Sequence, residues 1–395
     1  MATPGCKSRA VASKHYGDIP LHETVKLVVY PSPVVLPHNA TKRFPPRPKS
    51  QRQDNYDELF DANTLFYDSV RLDGGISFIG PPLLNLETVI SQSVFTGSKG
   101  RPLQMVHNSL DRTAITRLDG DEDTDVVNIH SSEMSLSAVA SPNLRDLFEG
   151  TNALVTKSKD NRLTWISDWV KFHVAEQKID AVLIYDNNSS QYGPEDVLEA
   201  ISVPGIKVAV VVHWPFKFGP QGGSWNGLKG APWDSDFCEY GIMEHARQRF
   251  LGRAGGVLNV DLDELVITKG EDTVFDLLAD LDCGAISFTG RWIETAGRHG
   301  TSESFADYSY YDKRRAPTTI KWAISPTKIP EATQWKTHMI AGVKMVPSPT
   351  TMHRHFMGIS SNWKWQRSTD RDLAGHHERD QELLTAFGRA FPIKK

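Results

Sequence analysis

Cysteine is scarce in this sequence: Cys6, Cys238 and Cys283 are the three cysteines among 395 residues. None of them forms a Cys-x-x-Cys pair, so the sequence supports neither a disulfide framework nor a thiolate zinc site. Such sparing use of cysteine is typical of a protein in a reducing compartment.

The sequence also lacks a long apolar run and an excess of positive charge. It contains no stretch of about 18 consecutive apolar residues, and residues 1–20 lack the continuous apolar segment of a signal peptide. Lys and Arg total 44 against 48 Asp and Glu, a formal charge of −4, which argues against a nucleic-acid partner. We therefore expect no transmembrane segment and a cytoplasmic protein, with peripheral association at a membrane left open.

The composition changes twice along the chain, which predicts three regions. Residues 1–55 are rich in proline and basic side chains, and we expect an extended segment there, with a targeting role as the less favoured hypothesis. Residues 56–150 alternate short apolar segments with turn-forming residues, which predicts a small β-rich accessory domain. Residues 151–395 contain all ten tryptophans and are predicted to form the domain that binds ligand.

The third region alternates predicted strands and helices. Residues 181–185 are apolar throughout, which is typical of a strand in a parallel sheet covered on both faces. Apolar side chains recur every three or four residues over 165–174 and predict a helix, and Asp236 is predicted to cap another helix that ends near Leu251. The alternation continues to residues 285–288 and predicts an α/β fold with a doubly wound, mostly parallel sheet. Polar side chains that follow strands are the candidate site residues, because such sheets bind ligands at their carboxyl edge.

Asp261 and Asp263 directly follow the strand predicted at residues 257–260. If the chain stays extended, both carboxylates project to one side, about 6–7 Å apart, and Glu264 points the other way. Like charges in one patch need a cation or hydrogen-bond donors to offset their repulsion. Oxygen ligands suit Mg²⁺ or Mn²⁺. The alternative interpretation of this common pattern is a solvated acidic turn.

Two further polar segments are candidates for ligand contact. Asp186 and Asn187 follow another predicted strand, and their carboxylate and amide suit hydrogen bonds to a base or ribose, although an Asx turn explains them equally well. His353 and His355 occupy alternate positions, so they share a face of an extended segment. Their basic and aromatic neighbours favour contact with a ligand.

Four segments together resemble glycosyltransferases of the GT-A fold, and most closely their family 2-like and family 92-like (DUF23-type) branch. The segments are Lys157-Ser-Lys-Asp-Asn161, Trp165-Ile-Ser-Asp-Trp-Val-Lys-Phe-His173, Leu183-Ile-Tyr-Asp-Asn-Asn-Ser189 and Val260-Asp-Leu-Asp-Glu-Leu265. The resemblance covers roughly residues 150–370. It departs from the commoner Asn-Glu sequence at the turn that follows the first strand.

The resemblance implies that the Asp-x-Asp motif holds Mn²⁺ or Mg²⁺, which bridges the diphosphate of a nucleotide-sugar donor. Asp261 and Asp263 match that motif, with Asp263 as the direct ligand. His355 matches a late histidine that completes the metal or diphosphate site, and His353 is the second choice. The donor contacts implied are Lys159, Asp160, Asn161, Asp186, Asn187, Asp261, Lys364 and Arg367.

The activity implied is metal-dependent transfer of a sugar, with inversion, from a nucleotide-sugar, first of all a UDP-sugar, to a glycan, glycolipid or protein-linked acceptor, as in polysaccharide biosynthesis. Glu294 is our candidate general base, with Glu303 and Asp307 as competitors. The Gly-rich segment 213–233 is predicted to be an unpacked loop that closes over the donor. Tryptophans in or near predicted loops are candidates for stacking on a sugar or base: Trp225, Trp233, Trp292, Trp363 and Trp365.

Two other functions stay open at this point. A haloacid-dehalogenase-like phosphohydrolase also places Asp-x-Asp after a strand, although Glu264 and Leu265 do not match the continuation usual in that class. A lectin-like carbohydrate-binding protein would keep the tryptophans without catalysis, although it has no need of a diphosphate-bridging metal.

Overall fold

The structure is a computed structural model that describes residues 24–120, 124–220, 233–297, 304–361 and 372–392. Its strands are, in chain order, β1 Val25–Val29, β2 Val34–Val35, β3 Thr64–Phe66, β4 Asp68–Leu72, β5 Gly75–Gly80, β6 Val94–Gly97, β7 Met105–Leu110, β8 Thr113–Asp119, β9 Val126–His130, β10 Ser135–Val139, β11 Asn152–Ser158, β12 Ala181–Asp186, β13 Val208–His213, β14 Gly256–Asn259, β15 Glu264–Thr268, β16 Ala285–Phe288, β17 Gly290–Ile293, β18 Tyr310–Asp312, β19 Lys321–Ile324, β20 Val346–Pro347, β21 Thr351–Phe356 and β22 His377–Arg379.

Helices follow the same order along the chain. The α-helices are α1 Tyr56–Leu59, α2 Glu87–Ser91, α3 Leu163–Gln177, α4 Pro194–Ile201, α5 Phe237–His245, α6 Val274–Ala279 and α7 Gln381–Ala390. A π-helical turn, Ala246–Phe250, continues α5. Short 3₁₀ turns occupy Lys49–Gln51, Leu84–Leu86, Arg145–Phe148, Leu251–Arg253, Phe305–Asp307 and Pro326–Lys328. Among the residues described, none of these helices combines the length and the apolar character needed to cross a bilayer.

The largest sheet has eight strands in the order β1-β13-β12-β11-β14-β19-β16-β20. The first five strands in this order, β1, β13, β12, β11 and β14, run parallel to one another. β19 runs antiparallel to both of its neighbours, β14 and β16. This confirms the predicted α/β fold with a mostly parallel sheet. The chain places β12 and β13 on one side of β11 and β14 on the other, so the direction in which strands are added reverses at β11.

Both faces of this sheet are covered, because successive residues of its central strands enter two different cores. Leu154, Val182 and Leu258 belong to a core that includes side chains of α3, α4, α6 and α7. Val155 and Leu183, one position further along their strands, belong to a core that includes side chains of α5. The double covering explains why these strands are apolar at every position.

A smaller sheet, β15-β21-β17, begins shortly after β14 ends. In this sheet β21 pairs antiparallel with β15 and parallel with β17. The register sets Glu264 opposite His355 and Val266 opposite His353. Both histidines therefore lie on a strand, and their alternate spacing places them on the same face of it.

Asp236 occupies the predicted N-cap position of α5, but its side chain does not cap the helix. Its backbone has φ 64°, in the left-handed region, and its side chain accepts no hydrogen bond from the amides of α5. Its Oδ2 instead accepts a hydrogen bond from Nη1 of Arg112 at 2.7 Å. Arg112 comes from a hairpin far away in sequence, so a local pattern gives no sign of this competition for the carboxylate.

Residues 24–150 contribute most of the remaining strands. A four-stranded antiparallel sheet has the order β4-β5-β8-β7, a three-stranded one has the order β10-β9-β6, and β2 pairs with β3. The first described strand, β1, instead pairs parallel with β13 and so belongs to the largest sheet.

Candidate functional site

A cleft of about 230 Å³ opens at the carboxyl ends of β11, β12 and β14. The order of strands reverses at this position, which is where open α/β sheets bind ligands. Its lining includes Ser158 at the end of β11, Asn187 after β12, and Asp261 and Asp263 after β14. His355 of β21 completes the lining on the side of the smaller sheet.

Asp261 and Asp263 lie in a turn rather than in an extended strand. β14 ends at Asn259, and the amide of Glu264 donates to the carbonyl of Asp261 at 3.0 Å before β15 begins. The expectation that Glu264 points away from the aspartates is therefore wrong, and its Oε2 accepts a hydrogen bond from the Asp261 amide at 2.9 Å. Trp169 of α3 fixes the turn, because its Nε1 donates to the carbonyls of Asp261 and Glu264 at 3.1 and 3.0 Å.

Two lysines engage the carboxylate of Asp261. Nζ of Lys157 lies 3.1 Å from Oδ1, and Nζ of Lys321 contacts Oδ2. Lys157 also pairs with Glu239 of α5 at 2.9 Å, and Lys321 pairs with Oε2 of Glu264 at 3.0 Å. Burial alone would raise the pKa of Asp261, but the two ammonium groups hold that pKa well below its ordinary value. Both oxygens of Asp261 therefore face ammonium groups, which leaves Asp263 better placed to bind a metal.

His355 joins Asp263 to Glu264. Its Nε2 lies 3.1 Å from Oδ2 of Asp263, and its Nδ1 lies 3.1 Å from Oε1 of Glu264. Burial alone would lower the pKa of His355, but the two carboxylates raise it to about 10. The ring of Trp292 covers the imidazole, with ring centroids 4.2 Å apart. His355 is thus held on three sides, and its raised pKa keeps the imidazole charged at neutral pH.

This arrangement fits a divalent metal. Two ligands at neighbouring corners of an octahedron, each about 2.1 Å from Mg²⁺ or Mn²⁺, lie about 3.0 Å apart. The 3.1 Å between Nε2 of His355 and Oδ2 of Asp263 matches that separation. Glu264 lies at the other ring nitrogen, where a carboxylate commonly fixes the tautomer of a metal-binding imidazole. A cation would take the place of the Nε2 proton.

His353 supports the same site from inside the protein. Its Nε2 lies 2.6 Å from Oγ1 of Thr318 and 3.4 Å from Oε1 of Glu264. Burial lowers the pKa of His353 to about 4, so the ring is neutral. Glu264, His353 and His355 together have potential ligand atoms within 4.8 Å of one another. The described residues that line the cleft include His355 but not His353, so His355 remains the better-placed ligand.

A second group of potential metal ligands, Asp312, His376 and His377, lies on and beside β18 and β22. The guanidinium of Arg314 engages both oxygens of Asp312, from Nε at 3.1 Å and from Nη2 at 3.0 Å. Nδ1 of His377 accepts a hydrogen bond from the amide of Ala374 at 3.0 Å. Because these bonds engage both oxygens of Asp312 and one ring nitrogen of His377, we assign no metal to this group.

Four of the donor contacts predicted from the resemblance line the cleft: Lys159, Asn161, Asn187 and Asp261. Nδ2 of Asn187 donates to the carbonyls of Trp214 and Phe216, each at 2.8 Å. This ties the end of β12 to the segment after β13. The amide oxygen of Asn187 is the part of the side chain that a ligand could use as a hydrogen-bond acceptor.

Asp160 and Asp186 are engaged in turns beside the cleft. Oδ1 of Asp160 accepts hydrogen bonds from the amides of Ser190 at 2.6 Å and Gln191 at 3.2 Å. Oδ1 of Asp186 accepts a hydrogen bond from Oγ of Ser189 at 2.5 Å, and burial raises the pKa of Asp186. These contacts favour the Asx-turn interpretation, and recognition of a base or ribose by either residue stays a prediction.

Glu294, the candidate general base, is buried and lies outside the lining of the cleft as the described residues define it. Its Oε1 lies 2.6 Å from Nη1 of Arg315. The guanidinium of Arg315 lies 4.9 Å from the ring centroid of Trp292, the ring that covers His355. Among the described residues, Arg315 and Trp292 thus link Glu294 to His355, and the role of Glu294 as the base stays a prediction. Its competitor Asp307 does not line the cleft either.

Several predicted residues lie outside the described residues: Trp225, Glu303, Trp363, Lys364, Trp365 and Arg367. The expectation that the Gly-rich segment 213–233 does not pack is wrong for its first described part. Trp214 and Phe216 are buried in the core on the α5 side of the sheet. Trp233, at the other end of that segment, stacks against Arg112.

Four charged residues of the site were not predicted as contributors: Lys157, Glu239, Glu264 and Lys321. Glu264 follows Asp263 directly, and a turn over the Asp-x-Asp-Glu run would have brought it into the site. Lys321 begins β19, whose antiparallel pairing with β14 no sequence period reveals. Glu239 sits on α5 with no pattern that sets it apart from an ordinary helix surface residue.

No family model matches this sequence, and no curated protein matches it at the significance required. Solved structures give similarities at low identity. The mannosyltransferase PcManGT from Pyrobaculum calidifontis, in complex with GDP-Man and Mn²⁺, is 12% identical over 56% of this chain and 60% of its own, with a TM-score of 0.30. GalNAc-T7 with UDP, GalNAc and Mn²⁺ is 12% identical over 90% of this chain and 63% of its own, with a TM-score of 0.34.

A third similar structure is the galactosyltransferase LgtC in complex with donor and acceptor sugar analogs. It is 16% identical over 45% of this chain and 58% of its own, with a TM-score of 0.24. The chain spans less than two thirds of the length of each of these three proteins. Because the TM-scores of these three structures lie below 0.5, the site is assigned from its own geometry.

Proposed function

We propose that this chain is a metal-dependent glycosyltransferase of the GT-A fold. It would take a sugar from a nucleotide-sugar, first of all a UDP-sugar, and place it with inversion on a glycan, glycolipid or protein-linked acceptor. The observation that carries the proposal is the pair formed by Asp263 and His355, whose ligand atoms lie 3.1 Å apart in a cleft at the carboxyl edge of the sheet. Membership of the family 2-like or family 92-like branch stays a prediction.

The charges around the cleft favour a cation before a nucleotide diphosphate binds. Four carboxylates and three cationic groups meet there: Glu239, Asp261, Asp263 and Glu264 with Lys157, Lys321 and His355. With His355 protonated the balance is one negative charge, and a diphosphate would add more negative charge. A divalent cation that replaces the Nε2 proton of His355 brings the balance of these groups to zero, so the diphosphate would meet no net negative charge.

The chain's own residues then have separate tasks. Asp263 and His355 would hold the metal through Oδ2 and Nε2, and Glu264 would keep the imidazole oriented by accepting a hydrogen bond from Nδ1. A bound Mn²⁺ or Mg²⁺ would supply positive charge for the diphosphate that leaves as the sugar is transferred. Lys157 lies at the cleft surface and would donate to phosphate oxygens. Asn187 would offer its amide oxygen to the nucleoside.

The experiment that tests the proposal is thermal unfolding of the full chain with UDP, GDP or ADP, each with and without Mn²⁺. A ligand that binds only the native state stabilises it by mass action, by about 2.7 kcal/mol at a concentration of 100 times Kd. We expect at least one of these nucleotides to raise Tm, and to do so only when Mn²⁺ is present. No rise with any of them would contradict the proposal.

The two other functions predict different results in matched assays. Hydrolysis of an aryl phosphate by the same preparation would favour a phosphohydrolase, and we expect none. A carbohydrate-binding protein would be favoured if the protein bound glycans on an array without Mn²⁺ and no nucleotide changed its Tm.

A further inference from the structure

One hairpin from the first 150 residues reaches the walls of the cleft. The register of β7 and β8 closes at Leu110 and Thr113, which leaves Asp111 and Arg112 as a two-residue turn. Arg112 has φ 57°, in the left-handed region that costs free energy for residues other than glycine. Such a conformation persists where surrounding contacts offset the cost. The contacts of these two residues show which parts of the protein the turn joins.

Arg112 packs against the start of α5. Its guanidinium lies 3.9 Å from the ring centroid of Trp233 and 4.7 Å from that of Tyr240. Its Nη1 lies 2.7 Å from Oδ2 of Asp236, the residue that precedes α5. The side chain of Arg112 is only 16% exposed, so these attractions act in a partly desolvated setting and exceed those of a surface pair.

Asp111 packs against residues 334–338. Nε2 of Gln334 donates to the carbonyl of Asp111 at 2.8 Å, and the amide of Asp111 donates to Oε1 of Gln334 at 3.3 Å. Nζ of Lys336 lies 2.8 Å from Oδ2 of Asp111. Thr337 and His338, the next two residues, line the cleft.

The turn therefore links two separate walls of the cleft. On one wall, α5 carries the lining residues Glu239 and Ile242, and Glu239 holds Lys157. On the other wall are Thr337 and His338. The far end of α5 meets the second wall through another contact, since the amide of Trp335 donates to Oε1 of Glu244 at 3.1 Å. The hairpin turn holds the start of α5, the end of the helix that this contact does not reach.

We propose that Asp111 and Arg112 are positioning residues for the nucleotide site. The turn sets the separation between α5 and residues 334–338. It thereby sets the positions that Glu239 and His338 take relative to a bound ligand. This inference rests on the proposed function, because it assigns to the β-rich region a task in binding the donor. Neither Asp111 nor Arg112 is among the described residues that line the cleft, so both act through the walls they hold.

The first test measures the walls without any ligand, by hydrogen–deuterium exchange of backbone amides in the full chain. Arg112→Ala is expected to speed exchange about tenfold in residues 237–241 and 334–338, which corresponds to losing roughly one cation–π or ion-pair contact. Arg112→Lys keeps a charge for Asp236 but not the planar stack, so its effect should be smaller. Arg117→Ala, an exposed arginine on the same hairpin, is the matched control and should leave exchange unchanged. Unchanged exchange in Arg112→Ala would overturn the inference.

The second test measures Kd by calorimetry for whichever of UDP, GDP or ADP, with Mn²⁺, stabilises the intact protein. We expect Arg112→Ala to weaken Kd by about tenfold or more, because small displacements of positioning groups are costly. Arg112→Lys should lie between that variant and the wild type, and Arg117→Ala should match the wild type. Equal Kd values in all variants would show that the turn stabilises the fold without affecting nucleotide binding, and would overturn the inference.

The two tests also separate this inference from the proposed function. If the intact protein binds none of the three nucleotides, the proposed function fails, and the exchange measurement alone decides whether the turn positions the walls. If Arg112→Ala does not fold, Arg112→Lys carries both measurements, with exchange faster than in Arg117→Ala as the supporting result and equal exchange as the contradicting one.

Discussion

At the scale of single residues, the cleft depends on buried charges that neutralise one another. The side chain of Lys321 is only 2% exposed, and its Nζ bridges Asp261 and Glu264. Burial alone would lower the pKa of Lys321, but these carboxylates raise it, so the ammonium stays charged. Without Lys321, the carboxylates of Asp261 and Glu264 would stay at the turn that carries Asp263 with one less cation to neutralise them.

Replacing this lysine tests that dependence. Lys321→Met keeps most of the apolar stem and removes the charge, and we expect it to lower the free energy of unfolding by about 3–5 kcal/mol, the cost of leaving a buried partner unpaired. The measurement is the midpoint of urea unfolding. Lys207→Met is the control, because Lys207 is 74% exposed in its pair with Asp180 and should contribute no more than about 1 kcal/mol. Equal midpoints for the two variants would contradict the buried network.

The site residues that follow parallel strands could be predicted from the sequence. The charged residues that pair with them could not. Asp261, Asp263 and Asn187 line one cleft because the carboxyl ends of β12 and β14 meet at one edge of the sheet. Glu264 was misplaced because its direction depends on a turn, which the apolar pattern of the flanking strands does not encode. Lys321 was missed because it enters through an antiparallel strand from a distant part of the chain.

At the scale of elements, α3 holds β15, the strand that directly follows the turn with Asp261 and Asp263. Nδ1 of His173 bonds the carbonyl of Trp169 at 2.8 Å, and its Nε2 accepts a hydrogen bond from the amide of Val266 at 3.3 Å. The neutral imidazole satisfies both bonds, since one nitrogen donates and the other accepts. Burial lowers the pKa of His173 to about 4.

This shift predicts a pH dependence of stability. In the unfolded chain His173 binds a proton below its ordinary pKa of about 6.5, whereas in the folded protein it stays neutral down to about 4. The unfolded state therefore binds more protons in that window, and stability falls as the pH falls from 6.5 to 4. The shift corresponds to about 3 kcal/mol.

The measurement compares unfolding midpoints of the wild type and His173→Gln between pH 7 and pH 4. The glutamine does not titrate, so its stability should fall less over this range than that of the wild type. Other buried histidines titrate in both proteins and cancel in the difference. Parallel curves for the two proteins would contradict the account of His173.

Elements with a strong apolar pattern could be predicted, and those made by distant pairing could not. The buried strands β11 to β14 and the helix α3 follow from continuous and three-to-four-residue apolar spacing. The small sheet β15-β21-β17 brings together three segments far apart in sequence. The polar side chains of the π-helical turn Ala246–Phe250 reach other segments of the chain. Nη1 of Arg249, for example, lies 2.7 Å from Oδ2 of Asp68.

At the scale of the whole molecule, a buried carboxylate joins the β-rich region to the α/β region across the boundary predicted at residue 150. Oδ2 of Asp68 in β4 lies 2.8 Å from Nε2 of His245 and 2.7 Å from Nη1 of Arg249. Its Oδ1 accepts hydrogen bonds from the amide of Ser32 at 2.9 Å and Oγ of Ser141 at 2.7 Å. Burial alone would raise the pKa of Asp68, but these partners lower it. The two regions therefore share a charged core.

We expect Asp68→Asn to lower stability by about 3–5 kcal/mol, because it leaves the guanidinium of Arg249 buried without its carboxylate. Differential scanning calorimetry of the full chain would show the transition at a lower temperature. Asp73→Asn is the matched control, since Asp73 is 89% exposed in its pair with Arg253 and should change stability by no more than about 1 kcal/mol. A similar Tm for Asp68→Asn and Asp73→Asn would show that the shared core contributes little.

The central claim is that Asp263 and His355 bind a divalent metal, and calorimetric titration of Mn²⁺ into the full chain tests it most directly. The account predicts binding by the wild type and by Asp282→Asn, an exposed aspartate outside the cleft lining, with affinity reduced by about 100-fold or more in Asp263→Asn and in His355→Gln. Binding of Mn²⁺ with the same affinity by Asp263→Asn and the wild type would contradict it.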